Sequence, residues 1–123
     1  MHSIKKYRLQ SKTLIYGLDK IFDKVNSLNV NQIITQEVDL NSIWWEVNKI
    51  IDISNNGLRK ITKELNELSE EEYDDWGYKI QDEADELNHT IDWKGMSIQS
   101  LLDGLGRLSD MAEEENLFKY FNQ

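Results

Sequence analysis

The stretch "KIQDEADELNHTIDWKG", Lys79 to Gly95, sets Asp82, Glu83, Asp85 and Glu86 close to His89 and Trp93. It raises three alternatives: an acidic metal site, a hairpin junction, or the end of one helix. Catalysis has little else to draw on. There is no cysteine, so thiol nucleophiles, zinc thiolates and disulfides are excluded, and the redox compartment is left open. The two histidines, His2 and His89, are too few for a His-built metal centre or a Ser-His-Asp arrangement. Carboxylates are what remains.

The carboxylates are unevenly spread. Lys5, Lys6, Arg8, Lys12, Lys20 and Lys24 make the first segment basic, whereas Glu67, Glu70, Glu71, Glu72, Asp74, Asp75, Asp82, Glu83, Asp85 and Glu86 crowd a later one beside Lys79. Either the two segments neighbour and partly neutralise each other, or the acidic face is presented to a basic partner. On the second reading the partner-binding residues are Glu70, Glu71, Asp74, Asp75, Asp82 and Asp85, joined by Trp45. A net charge of −9 argues against direct nucleic-acid binding, because phosphate contacts need a concentrated basic surface. No apolar run approaches the roughly 20 residues of a membrane span, and "MHSIKKYRLQSK" lacks the apolar core of a signal peptide. The expected location is cytoplasmic, with no membrane contact.

Two resemblances attach to the opening stretch. "KIQDEADEL" resembles the metal-binding helix of the MazG-type all-α nucleotide pyrophosphohydrolases, which carry Glu-x-x-Glu on one helix and Glu-x-x-Asp on the next. Glu83 and Glu86 match the first pair. "SLLDGLGRLSDM" puts Asp103 at the aspartate position of the second, with Ser100 where that family has glutamate. The resemblance implies Mg2+ held by Glu83, Glu86 and Asp103, bridging a nucleotide's phosphates to an attacking water. "DWKGMSIQSL" in turn resembles the helix-turn-helix junction of the WXG-type proteins of type VII secretion, with Trp93, Gly95, Ser97 and Leu101 at matching positions. That likeness implies a turn at Gly95 and a secreted helical partner. Tyr78 and Asp82 have the spacing of that family's signal, yet they precede the junction.

The elements that must position these residues are helical. Proline is absent, and 123 residues form one domain, 1–123, able to bury about two thirds of its unfolded surface. Leu14, Leu18, Ile21, Val25 and Leu28 step by three and four, with Ile15 and Phe22 widening the stripe and Tyr7 and Ser11 extending it, which predicts a helix over 4–28. Trp44, Val47, Ile51, Ser54, Leu58, Ile61, Leu65 and Leu68 continue in register across Gly57, so one helix over 42–68 is favoured over two split there. Asn41 is its candidate N-cap, and Leu40 could staple to Trp45. Trp45 is otherwise an exposed anchor for a partner.

Between these helices, Ile33, Ile34 and Val38 should pack a connection with a short helical turn onto the core. Ser69 to Glu72 has a capping-box pattern and starts a third helix, with Tyr73, Trp76, Ile80, Ala84, Leu87 and Ile91 inward. Gly95 is expected to end it. A fourth helix then points Ile98, Leu101, Leu102, Leu105, Leu108, Met111 and Ala112 inward, and "NLFKYF" forms a last turn or tail. Gly104 and Gly106, costly in a helix, imply a close neighbouring helix or a groove. His89 suits a helix C-terminus.

The expected architecture is all-α: a four-helix bundle built from two helical hairpins, mostly antiparallel. The expected function is a non-enzymatic acidic binding protein, without cofactor, that inhibits or neutralises a basic protein partner, as an immunity protein, antitoxin or phage-type inhibitor does. The alternatives are a degenerate MazG-like nucleotide pyrophosphohydrolase or nucleotide binder, and a WXG-like type VII secretion partner. Self-association as a homodimer is compatible with the same stripes.

Overall fold

The computed structural model describes the backbone of residues 2–121 and the side chains of residues 3–115. Among the described residues every regular element is helical, and there is no strand. Three long helices carry the fold: α1 (His2–Asn26), α3 (Leu40–Asn66) and α5 (Tyr78–Phe121). The short α2 (Val30–Ile34) packs on α5, and α4 (Glu70–Glu72) runs through a π-helical turn, Tyr73–Gly77, into α5.

The pairings give the chain direction of each helix. Arg8 meets Glu83 and Asp19 meets Lys94, so α1 and α5 run parallel. Tyr7 meets Ser54, Ser3 meets Glu64, and Ser54 meets Asn88, so α3 runs antiparallel to both. The architecture is an up-down-up arrangement of three helices.

Two apolar clusters hold it. The larger joins Leu14, Leu18 and Val25 of α1, Ile43 and Val47 of α3, and Ile91, Ile98 and Leu102 of α5. The smaller joins Ile4 and Tyr7 to Ile61, Leu65 and Ala84, with Trp76, Ile80 and Leu87 against it. Each fully buried Leu, Ile or Val removes enough apolar surface to contribute about 1.5–3 kcal/mol. Between the clusters lies a polar layer. The hydroxyls of Tyr7 and Ser54 are 3.1 Å apart, and Asn88 Nδ2 donates to Ser54 Oγ at 2.9 Å and to Asn55 Oδ1 at 3.0 Å. Ser11 is fully buried beside them in sequence register, and its Oγ has no partner among the described residues.

The expected break at Gly95 does not occur. The third and fourth expected helices are one helix of 44 residues, about 66 Å long, and the two-hairpin arrangement falls with that turn. The physical reason for the glycine is close approach: a Cβ there would lie 2.5 Å from Ile51 Cδ1. Gly57 has the same cause, since a Cβ would sit 2.6 Å from the Tyr7 ring, and α3 runs unbroken through it as the register predicts.

Helix ends follow local chemistry. Asp39, not Asn41, caps α3, its Oδ1 accepting from Asn41 N at 3.0 Å and its Oδ2 from Ser42 Oγ at 3.0 Å. Leu40 is therefore the first helical residue and cannot staple to Trp45 from outside the helix. Asn29 and Gln32 form a capping box that starts α2, and Ile33, Ile34 and Val38 are partly buried as expected. Ser69 and Glu72 form the expected box, Ser69 Oγ accepting from Glu72 N at 3.2 Å.

Candidate functional site

The acidic residues lie where α3 turns back into α5. Glu70, Glu71 and Glu72 occupy the first turn of α4, where the N-terminal dipole favours negative charge, and Asp74 and Asp75 follow in the π-helical turn. That turn is wider than an α-turn by one residue. Tyr73 folds over Gly77, whose missing Cβ would lie 2.9 Å from the ring. The extra residue delays the register, so Trp76, Ile80, Ala84 and Leu87 meet the lower cluster while Tyr73, expected inward, is partly exposed.

The consequence is a solvent-facing set of carboxylates on a fixed backbone. Glu70, Glu71, Asp74, Asp75, Asp82 and Asp85 are all exposed, and Tyr78 stands among them. Asp85 accepts from Gln81 Nε2 at 2.9 Å. Among the described residues the others have no ion-pair partner. Among the described residues, the basic helix pairs with one member of the acidic segment, Glu83. Its carboxylate receives Arg8 Nε at 2.5 Å and Nη2 at 2.6 Å. The Arg8 hydrogen bonds hold the Glu83 carboxyl below its ordinary value, against a smaller desolvation that raises it, and the Arg8 charge lowers it further.

Trp45 is not brought to this end. It is 67% exposed at the start of α3, about 30 Å from the acidic turn, and packs edge to face on Trp44 with ring centroids 5.6 Å apart. Trp44, expected in the core, is itself exposed; Ile43 takes the inward position, one residue earlier.

The metal set suggested by the nucleotide pyrophosphohydrolase resemblance does not converge. Glu83 is engaged by Arg8, and Asp103 lies about 26 Å beyond Glu86 along the same unbroken helix, so one copy of the chain cannot bring Glu83, Glu86 and Asp103 to one ion. Among the described residues no group of three His, Asp or Glu side chains is placed to hold a metal. The hairpin turn of the type VII resemblance is equally missing: Trp93 and Gly95 sit mid-helix, with Trp93 in solvent and stacked on His89. His89 is therefore far from the helix C-terminus expected for it.

Further along α5, Leu108 and Met111 face solvent rather than the core, while Ser109 is buried with its Oγ donating to the Leu105 carbonyl at 2.8 Å. Gly104 has no neighbour within 4 Å of a would-be Cβ, and Gly106 has Leu40 Cδ1 at 3.9 Å, so neither marks a tight helix crossing. The backbone of "NLFKYF" continues α5 to Phe121, and its side chains lie outside the described residues. Among the described residues no helix is long and apolar enough to cross a membrane. Comparison of the chain with protein-family models, curated proteins and solved structures finds no match.

Proposed function

We propose that the protein is a non-enzymatic, acidic helical binding protein that neutralises or inhibits a basic protein partner. Its role would be that of an immunity protein, an antitoxin or a phage-type inhibitor imitating the charge of a nucleic acid. The observation that carries this reading is that, among the described residues, Glu70, Glu71, Asp74, Asp75 and Asp82 have no ion-pair partner at and beyond a capped helix start.

Carboxylates already paired inside the fold would have to give up their partners before binding. These are free to meet lysines or arginines without that loss. Concentrated charge of one sign also steers a basic partner and speeds encounter, an effect that salt screens over about 10 Å at moderate ionic strength. The capped helix start holds these residues in helical backbone before binding, which limits the ordering cost of association.

Reversal of Glu71, Asp74, Asp75 and Asp82 to lysine tests the reading. Partner binding is expected to vanish while the helical circular-dichroism signal is unchanged. Undiminished affinity in the reversed protein would overturn the proposal.

A further inference from the structure

The outward face of α5 has a pattern that neither the core nor the acidic turn uses. Glu86, His89, Trp93, Met96, Ser100 and Gly104 recur at steps of three and four, all exposed, and Met111 continues the line. Trp93 is 63% exposed, Met96 54% and Met111 64%. The Trp93 ring is held against His89, with centroids 6.4 Å apart and planes 12° from parallel. Gly104 is unfavourable within a helix, and nothing in the fold approaches the space its side chain would fill.

Along one edge of this stripe stand Asp85, Asp92, Asp103 and Asp110, which share one side of the helix at intervals of seven, eleven and seven residues. Among the described residues none of the four has an ion-pair partner. Lys94 is drawn to the opposite edge by Asp19 of α1, 2.6 Å away. Arg107, exposed between Gly104 and Met111 on the same three-four line, places one positive charge within the stripe, beside Asp103 and Asp110. A helix face that exposes Trp93, Met96 and Met111 and is flanked by charge is a surface one helix can offer to another. Its length, about 37 Å from Glu86 to Met111, suits a helix rather than a small molecule.

We propose that this face is the docking seam for a basic amphipathic helix of the protein's partner. Apolar residues of that helix pack beside Trp93, Met96 and Met111, a bulky side chain seats over Gly104, and lysines or arginines face the aspartate row. The occupant follows from charge: an antiparallel second copy of α5 would set one aspartate row against another, and a parallel copy would offer the row only Lys94, already paired with Asp19, whereas a basic helix complements it along its length. The inference rests on the reading of the protein as a binder of basic partners, and it names the shape of what is bound.

The test titrates the full chain with two synthetic helices of equal length and identical leucine seams, one with lysine and one with glutamate at the flanking positions. Binding is read by amide chemical-shift changes. The lysine helix should bind at least about tenfold more tightly than the glutamate helix, with shifts centred on residues 89–111. Gly104→Leu should leave the melting temperature unchanged or higher and weaken lysine-helix binding by about tenfold or more. Trp93→Ala should weaken it similarly, and lysines at Asp85, Asp92, Asp103 and Asp110 should reverse the preference.

Equal affinity for the two helices, or shifts that avoid α5, would overturn the seam. So would a dimer in sedimentation equilibrium that Gly104→Leu dissociates, because the occupant would then be a second copy. Failure of the probe helix alongside intact capture of the native partner sinks the seam alone. Undiminished capture by the protein reversed at Glu71, Asp74, Asp75 and Asp82 sinks the charge-driven reading alone.

Discussion

Ser11 and Ser54 occupy similar buried positions and should respond oppositely to the same substitution. Ser54 Oγ lies within hydrogen-bond distance of both the Tyr7 hydroxyl and Asn88 Nδ2, so Ser54→Ala strands a buried hydroxyl and weakens the fit of the amide. A loss of about 1–3 kcal/mol in denaturant unfolding is expected. Ser11 Oγ has no partner among the described residues, and Ser11→Ala removes only its unsatisfied polar group. A gain of about 1 kcal/mol should follow. The Arg8–Glu83 pair is half exposed, so its signature is sought in pH dependence rather than magnitude. The folded-state pKa of Glu83 is depressed, so its stabilising contribution is present above the ordinary carboxylate range and lost as pH falls through the lowered folded value. The melting-temperature gap between the native protein and Glu83→Gln should be constant near neutrality and close as pH drops below about 4.

At the scale of elements, three glycines separate cost from use. Gly57→Ala must push a methyl into the Tyr7 ring and should destabilise despite alanine's higher helix propensity. Gly104→Ala meets nothing and should stabilise by about 1 kcal/mol, measured by thermal or urea unfolding. Gly95→Pro tests the continuity of α5 directly: proline in a helix interior costs about 3 kcal/mol or more, whereas a loop turn would accept it.

The same glycines show how much the sequence disclosed. Gly57 sits in an apolar register that continues on both sides, so the unbroken α3 was legible from Val47 to Leu65. The register also continues across Gly95 from Ile91 to Ile98, but a tryptophan and a glycine together mimic a turn, and the cause of Gly95 is Ile51 on another helix, a long-range contact no local pattern records. Trp44 misled for a related reason. Trp44 and Ile43 both fit a three-four line, and choosing between them needed the buried cluster that Ile43 joins from other helices and the Asp39 cap. The capping box at Ser69 was readable because all its partners lie within four residues. The outward α5 stripe became visible only once that helix was known to be continuous.

For the whole molecule, the helices segregate their tasks. α1, α3 and the inner face of α5 supply two apolar clusters, the polar layer between them opposes slippage of the helices, and α5 is left with an outer surface that the fold itself does not need. A polar layer of this kind favours the arrangement in which each group finds its partner, since sliding α5 by one turn would bury Asn88 against apolar side chains. Charge is segregated as well: among the described residues Glu70, Glu71, Asp74 and Asp75 at the α3–α5 turn, and Asp82, Asp92, Asp103 and Asp110 on α5, have no ion-pair partner. An acidic binder organised this way should show association that slows as salt is raised, measurable by stopped-flow mixing once the partner is in hand.

The most direct test of the account is affinity capture from a lysate of the native host, with the native protein and the protein carrying lysine at Glu71, Asp74, Asp75 and Asp82 run side by side. Elution is by a salt gradient, and bound proteins are identified by mass spectrometry. The account predicts a stoichiometric basic protein that moderate salt releases from the native bait and that the reversed bait does not retain. A partner held equally by both baits, or a stoichiometric partner without a basic surface, would contradict it.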